Sequence, residues 1–230
     1  MQQRAIQQIL PARSTRDGDG VRIQRVIGQQ QHDLDPFLML DEIRSDDQAD
    51  YVGGFPAHPH RGIETLTYML TGGFIHQDNF GHRAELSNGG AQWMSAGSGI
   101  IHSEMPLIHE GLLHGFQLWI NLPAAQKMKA PEYQQASAEQ LPIISLQDGG
   151  HARVIAGSWV IQGEPLNSPL ATMAATARVL DLHLPAETQL SFELPAGDTL
   201  LAYVYQGTLL GEQPITQGQL VRFGLGEQAT

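Results

Sequence analysis

Cysteine is absent from the 230 residues, so neither a disulfide framework nor a thiolate metal site can form. Positive charge is scarce as well: 13 lysines and arginines face 24 aspartates and glutamates, for a formal net charge of −11. A surface of that sign lacks the basic stripe that a direct grip on nucleic acid needs. No apolar run approaches the roughly 20 residues that a spanning helix requires, so no membrane passage is expected. The first ten residues are polar and glutamine-rich, without the apolar centre of a signal peptide. A soluble, cytoplasmic protein is the expectation. Only 16% of the residues are charged while 41% are hydrophobic, the balance of a packed globular chain and not of a disordered one.

Glycine and proline are plentiful, 25 and 13, and lie between short apolar runs. That pattern predicts many strands joined by turns. Val21 to Ile27 alternates as a half-buried strand would, and Thr65 to Leu70 and Phe116 to Leu122 read as strands too. Gly72-Gly73, Asn79-Phe80-Gly81 and Asn88-Gly89-Gly90 punctuate the stretch between them. Strand signals resume at Val154-Ile155, Val160-Ile161, Val179 to Leu184, Leu200 to Tyr205 and Leu220 to Phe223.

A weak internal repeat relates Leu66-Thr67-Tyr68-Met69-Leu70-Thr71-Gly72 to Leu201-Ala202-Tyr203-Val204-Tyr205-Gln206-Gly207. Each is followed by a turn and then by Gly90-Ala91-Gln92-Trp93 or Gly218-Gln219-Leu220-Val221. The economical reading is two copies of one antiparallel β unit, 1–123 and 142–230, joined by a polar linker, 124–141, that contains Pro131 and one helical turn. The second copy ends about where its last strands would begin. A different closure, an N-terminal strand or a partner would have to complete it.

Chemistry concentrates in the first copy. His58-Pro59-His60 and His102-Ser103-Glu104 each place two metal-capable side chains two residues apart. On a strand, residues i and i+2 share a face, so each segment offers a two-pronged chelate. Together they supply three imidazoles and a carboxylate, enough for one divalent ion with positions left open. Fe(II), Mn(II), Ni(II), Co(II) and Zn(II) all suit such a set, and the ligands alone do not choose among them.

Glu64 has the same parity as His58 and His60, although a bulge at Arg61-Gly62 would break that register. Trp93, Met94, Phe116 and Trp119 are expected to wall the interior and to suit a planar organic substrate. His76, His82, His109, His114 and His151 read as turn or surface histidines, with His76 and Gln77 as candidates for the pocket mouth. His32, in a glutamine-rich run, reads as solvated. Arg61 would pair either with a carboxylate or with a substrate oxygen.

Three stretches carry a resemblance. Phe55-Pro56-Ala57-His58-Pro59-His60-Arg61-Gly62-Ile63-Glu64-Thr65-Leu66-Thr67-Tyr68 resembles the signature of the pirin family of the cupin superfamily. So do Asp35-Pro36-Phe37-Leu38-Met39-Leu40-Asp41-Glu42 and the run from Gln92 to Pro106. The resemblance implies an all-β bicupin: two antiparallel β-barrels of jelly-roll type, with metal only in the first and the second incomplete at its C-terminus. It implies Fe(II) held by His58, His60, His102 and Glu104, with Glu64 second to Glu104 as the carboxylate. Zn, Mn, Ni, Co and Cu are the other metals to consider.

It further implies a quercetin 2,3-dioxygenase-like oxidoreductase that opens the ring of a flavonol with dioxygen. Glu104 would be the group that takes the substrate proton. The alternative is a metal- or redox-sensing regulatory protein acting through protein partners.

Overall fold

The computed structural model describes residues 2–28, 33–107, 111–170, 173–210 and 213–229, so His32 and His109 lie outside the described residues. Twelve strands make up its first part: β1 (Ile6–Pro11), β2 (Arg13–Asp17), β3 (Val21–Ile27), β4 (Phe37–Ser45), β5 (Phe55–His60), β6 (Ile63–Thr71), β7 (Phe74–Asp78), β8 (Arg83–Leu86), β9 (Ala91–Ser95), β10 (Ile100–Pro106), β11 (Leu113–Asn121) and β12 (Glu132–Ala136). Seven of them form one antiparallel sheet, in the order β12-β9-β6-β11-β4-β3-β2. Four form a second sheet, β5-β10-β7-β8.

The seven-stranded sheet is covered on both faces, which is why β6 is buried without a break from Glu64 to Met69. Side chains alternate between the two faces. Leu66, Tyr68, Trp93, Leu118 and Ile120 pack on Ile155, Ala156, Leu170, Met173 and Ala177 of the C-terminal half. We call that contact the seam. Met69, on the opposite face, joins Val21, Ile43, Phe74, Leu86 and Leu113, several of which come from the four-stranded sheet or its flanks. The space between the two sheets holds the site.

The all-β expectation is met, but the strands form open sheets instead of two closed barrels. At one open edge stands β5, which carries Pro56 and Pro59. Neither proline has an N–H to donate to a further strand, so the edge stays unpaired. The repeat is real at the level of pairing: β6 pairs with β9, and likewise Leu201–Val204 pairs with Gln219–Phe223.

Two polar segments join the sheets as edge strands, the first of them as the N-terminal strand that was one of the expected closures of the second copy. The glutamine-rich N-terminus forms β1, which pairs with Gln219–Phe223 of the C-terminal half. The region 124–141 holds a 3-10 turn, Ala124–Gln126, and then β12, which extends the large sheet beside β9. Polar β12 serves as an edge strand, where Gln135 donates from its side-chain amide to the Glu85 carbonyl at 2.7 Å.

Candidate metal centre

Strand β5 presents His58 and His60 on one face, and antiparallel β10 sets His102 directly opposite His58. The three imidazoles therefore converge, with their ligand-type nitrogens within 4.8 Å of one another. His58 Nε2 and His60 Nε2 stand 3.0 Å apart. His58 Nδ1 donates to the Pro56 carbonyl at 2.8 Å. A carbonyl only accepts, so Nδ1 carries the proton and Nε2 is the nitrogen turned toward His60. His102 Nδ1 is engaged by His76 Nε2. Its Nε2 is buried without a hydrogen-bond partner among the described residues.

A buried ring nitrogen with no partner is costly unless something else fills the position. Burial, assisted by the surrounding imidazoles, lowers His60 to about 4 and His102 to about 2. Both are neutral at pH 7 and have lone pairs to give. This is the donor set a borderline divalent ion prefers, so the residues fit such an ion.

The two candidate carboxylates separate cleanly. Glu104 is buried on the site side. Gln117 Nε2 donates to its Oε2 at 2.8 Å, and the Thr67 hydroxyl lies 3.1 Å from its Oε1. It stands outside the 4.8 Å cluster of imidazoles. Burial pushes its pKa up, against the opposing pull of Thr67, His58 and Gln117.

Glu64 faces the seam instead. It accepts from Trp93 Nε1 at 3.0 Å and from the Ala174 backbone N–H at 2.6 Å, and Lys129 Nζ lies 3.4 Å away. The cause is local. Gly62 adopts φ +69°, a left-handed conformation that ends β5 and restarts the chain as β6 with its faces reassigned. The parity of Glu64 with His60 therefore does not survive the turn.

Several other expectations change. His76 is buried, not at a surface turn: on β7 it faces Glu104 across β10, bonds His102 and packs edge-on to Tyr133 with ring centroids 5.0 Å apart. Burial lowers its pKa to about 4. His114 is also buried, bonded to Glu42 Oε1 at 2.8 Å in the seam. His151 is half-buried and stacks on His183 at 4.4 Å. His82 is exposed, as expected of a turn.

Trp93 and Phe116 face the seam, where Phe116 stacks with Tyr68, so neither walls the site. Trp119 does face it, with its ring 4.8 Å from that of His60. Arg61 is exposed and, with Pro59, Asn79 and Ile101, lines an open groove of about 520 Å³ beside His60. Thr67 and Gln117 are the site residues that sequence reasoning missed, and His76, read as a candidate for the pocket mouth, lies deeper, against His102. The available signal was a pair of polar residues, Thr67 and Gln117, inside strands otherwise rich in apolar side chains.

The pirin family model matches residues 20–120. A Vibrio cholerae protein that carries the provisional name quercetin 2,3-dioxygenase is 49% identical over 228 residues, covering 99% of this chain and 81% of that protein. The chain belongs to the pirin family. A pirin-like protein of Caulobacter vibrioides is 44% identical over 207 residues, covering 89% of this chain and 73% of that one. The crystal structure of quercetin 2,3-dioxygenase from Acinetobacter baumannii matches with a TM-score of 0.88 at 28% identity, covering 99% of this chain and 82% of that one. In this pirin, then, the three imidazoles that can hold a metal ion sit between the two sheets of the N-terminal half. Among the described residues no helix is long and apolar enough to cross a membrane.

Proposed function

We propose that this pirin is a metal-dependent dioxygenase that opens the ring of a flavonol such as quercetin. His58, His60, His102 and Glu104 would hold Fe(II), and Glu104 would take the substrate proton. The observation that supports this most is the convergence of neutral imidazoles, one with a buried unpartnered Nε2, beside a buried carboxylate of raised pKa. Bound there, a redox-active divalent ion supplies Lewis acidity to the substrate hydroxyl and electrons to dioxygen.

The chain's own residues do the rest. Glu104, held in place by Thr67 and Gln117, accepts the hydroxyl proton at a carboxylate whose burial makes it a stronger base than an exposed one. It returns that proton to the carboxylate of the cleaved product, so one flavonol and one dioxygen give one ring-opened ester and one carbon monoxide. Met94, Ile100 and the Trp119 ring keep water away from the substrate's aromatic face. His58, partly exposed, marks the side from which substrate enters.

The division into a metal-bearing unit, 1–123, a connector, 124–141, and a metal-free unit, 142–230, belongs to the same proposal. A reducing compartment such as the cytoplasm would keep the ion ferrous.

The test is oxygen uptake. Protein stripped by a chelator and reloaded anaerobically with Fe(II), Mn(II), Ni(II), Co(II) or Cu(II) is given quercetin and then oxygen. At least one form is expected to consume one dioxygen per flavonol. Failure of all five to do so would end this reading.

A further inference from the structure

The chain has three tryptophans, and their indole N–H groups differ in one respect. Trp93 Nε1 donates to Glu64 Oε2 at 3.0 Å, and Trp159 Nε1 donates to the Ala156 carbonyl at 3.2 Å. Trp119 Nε1 is buried and has no acceptor among the described residues. An indole nitrogen can only donate. Buried donors are almost always satisfied in folded proteins, and an unsatisfied one calls for an explanation.

Its location supplies one. Trp119 lies on β11 two residues from Gln117, so the two share the face of the large sheet that looks into the site. Its ring stands edge-on to the metal-ligand candidate His60, at 78° and 4.8 Å between centroids. The carboxylate of that cavity, Glu104, is already occupied by Thr67 and Gln117, so it does not serve the indole.

We propose that Trp119 is a specificity-determining residue, whose indole N–H donates to a ketone oxygen adjacent to the hydroxyl that the metal site takes. The substrate class is then a planar aromatic α-hydroxyketone, with one oxygen for the metal and the neighbouring carbonyl for Trp119. This rests on the functional reading above and sharpens it. A phenol with a single oxygen, such as 2-naphthol, satisfies the metal but leaves the indole unpaired. Sites built to hydrogen-bond a substrate group discriminate strongly against analogues that lack it.

The test is anaerobic binding, where no turnover intervenes. Dissociation constants of 3-hydroxyflavone and of 2-naphthol, which has a single oxygen, are measured on Zn(II)-loaded protein and on Trp119→Phe, which keeps an aromatic ring and removes the donor. The substitution is expected to weaken 3-hydroxyflavone about 5- to 20-fold, the range for one buried hydrogen bond, and to leave 2-naphthol within about twofold. Equal weakening of both, or no change in either, would overturn the assignment.

The unsubstituted protein gives a second readout that does not depend on how the variant folds. Of its three indole N–H signals in a 15N correlation spectrum, Trp119's alone should shift downfield with 3-hydroxyflavone and stay put with 2-naphthol. Movement with both, or with neither, again overturns it. Absence of any metal-dependent binding of 3-hydroxyflavone to the unsubstituted protein would instead count against the functional reading itself.

Discussion

The large sheet separates two buried regions that behave as opposites: the seam on one face, and on the other the site, which it shares with β10 of the smaller sheet. In the seam the buried carboxylates are closed off. Glu64 is bonded to Trp93 and Ala174, Glu42 to His114 and Tyr203, and Asp181 to Tyr68 and Tyr205. In the site two buried nitrogens are left open: His102 Nε2 and Trp119 Nε1 have no partner among the described residues, while Glu104, bonded by Gln117 and Thr67, is pushed to a raised pKa by burial. Satisfied buried polar groups position a fold, while open ones wait for something the chain does not itself supply. Glu64 and Glu104 are both buried and hydrogen-bonded, and they differ in what lies beside them: Trp93 and the Ala174 backbone for Glu64, the imidazole cluster for Glu104.

The largest expected effect is on metal. His102→Ala removes the ligand at the centre of the cluster, and we expect bound metal to fall about 100-fold or more in affinity, read by titration with a chelator of known strength. The fold should survive, since the seam is untouched. Retention of metal by this variant would break the distinction between the two faces.

Next comes the exchange of the two glutamates. Glu64→Gln should destabilise the protein by about 2–4 kcal/mol in urea, because the Ala174 N–H, Trp93 and Lys129 lose a buried anion, with metal affinity moved little. Glu104→Gln should do the reverse. Stability of the metal-free protein should stay within about 1 kcal/mol, while oxygen uptake with a flavonol is lost. The same outcome for both variants would erase the comparison.

The contact between His76 and His102 is a finer test. For His102 to offer Nε2, its Nδ1 must keep the proton and donate it to His76 Nε2. His76→Leu should weaken metal about 10- to 100-fold, and His76→Gln, whose amide oxygen still accepts, should recover part of that loss. Equal affinity in the two variants would reduce His76 to packing.

The pH dependence of the metal-free protein is a further test. His60 and His102 have folded values of about 4 and about 2, below the ordinary histidine range. The unfolded chain therefore takes up protons first. Metal-free protein should be most stable above pH ~6.5 and should lose up to about 1.4 kcal/mol per pH unit for each such histidine as the pH falls toward 4. A metal-free stability curve that is flat between pH 7 and pH 5 would contradict buried neutral imidazoles.

Much of this was legible in the residues, for physical reasons that can be named. His58 and His60 share a face because a strand repeats every two residues, and the interval to His102 suits an antiparallel return. The break in parity at Arg61-Gly62 was legible, but that it turns Glu64 to the seam was not, because β5 and β6 belong to different sheets, which the local sequence does not show. His76 was hidden because its partner is fixed by strand order, β10 lying between β5 and β7, and no local pattern records that. Nor did the polar character of β1 and β12 betray strands. Each lies at a sheet edge, where alternating burial is weak. The walls of the site were misjudged for the opposite reason: Trp93 and Phe116 are apolar enough for either face, and parity with Leu66 and Leu118 decides between them.

The central claim is that one ion is held by the site face, through three imidazoles and Glu104. Anomalous diffraction at the iron edge, on crystals of anaerobically Fe(II)-loaded protein, tests it directly. The account predicts a single peak within bonding distance of His58, His60 and His102 nitrogens and a Glu104 oxygen, with Glu64 still bonded to Trp93. A peak elsewhere, or one whose carboxylate ligand is Glu64, would contradict it.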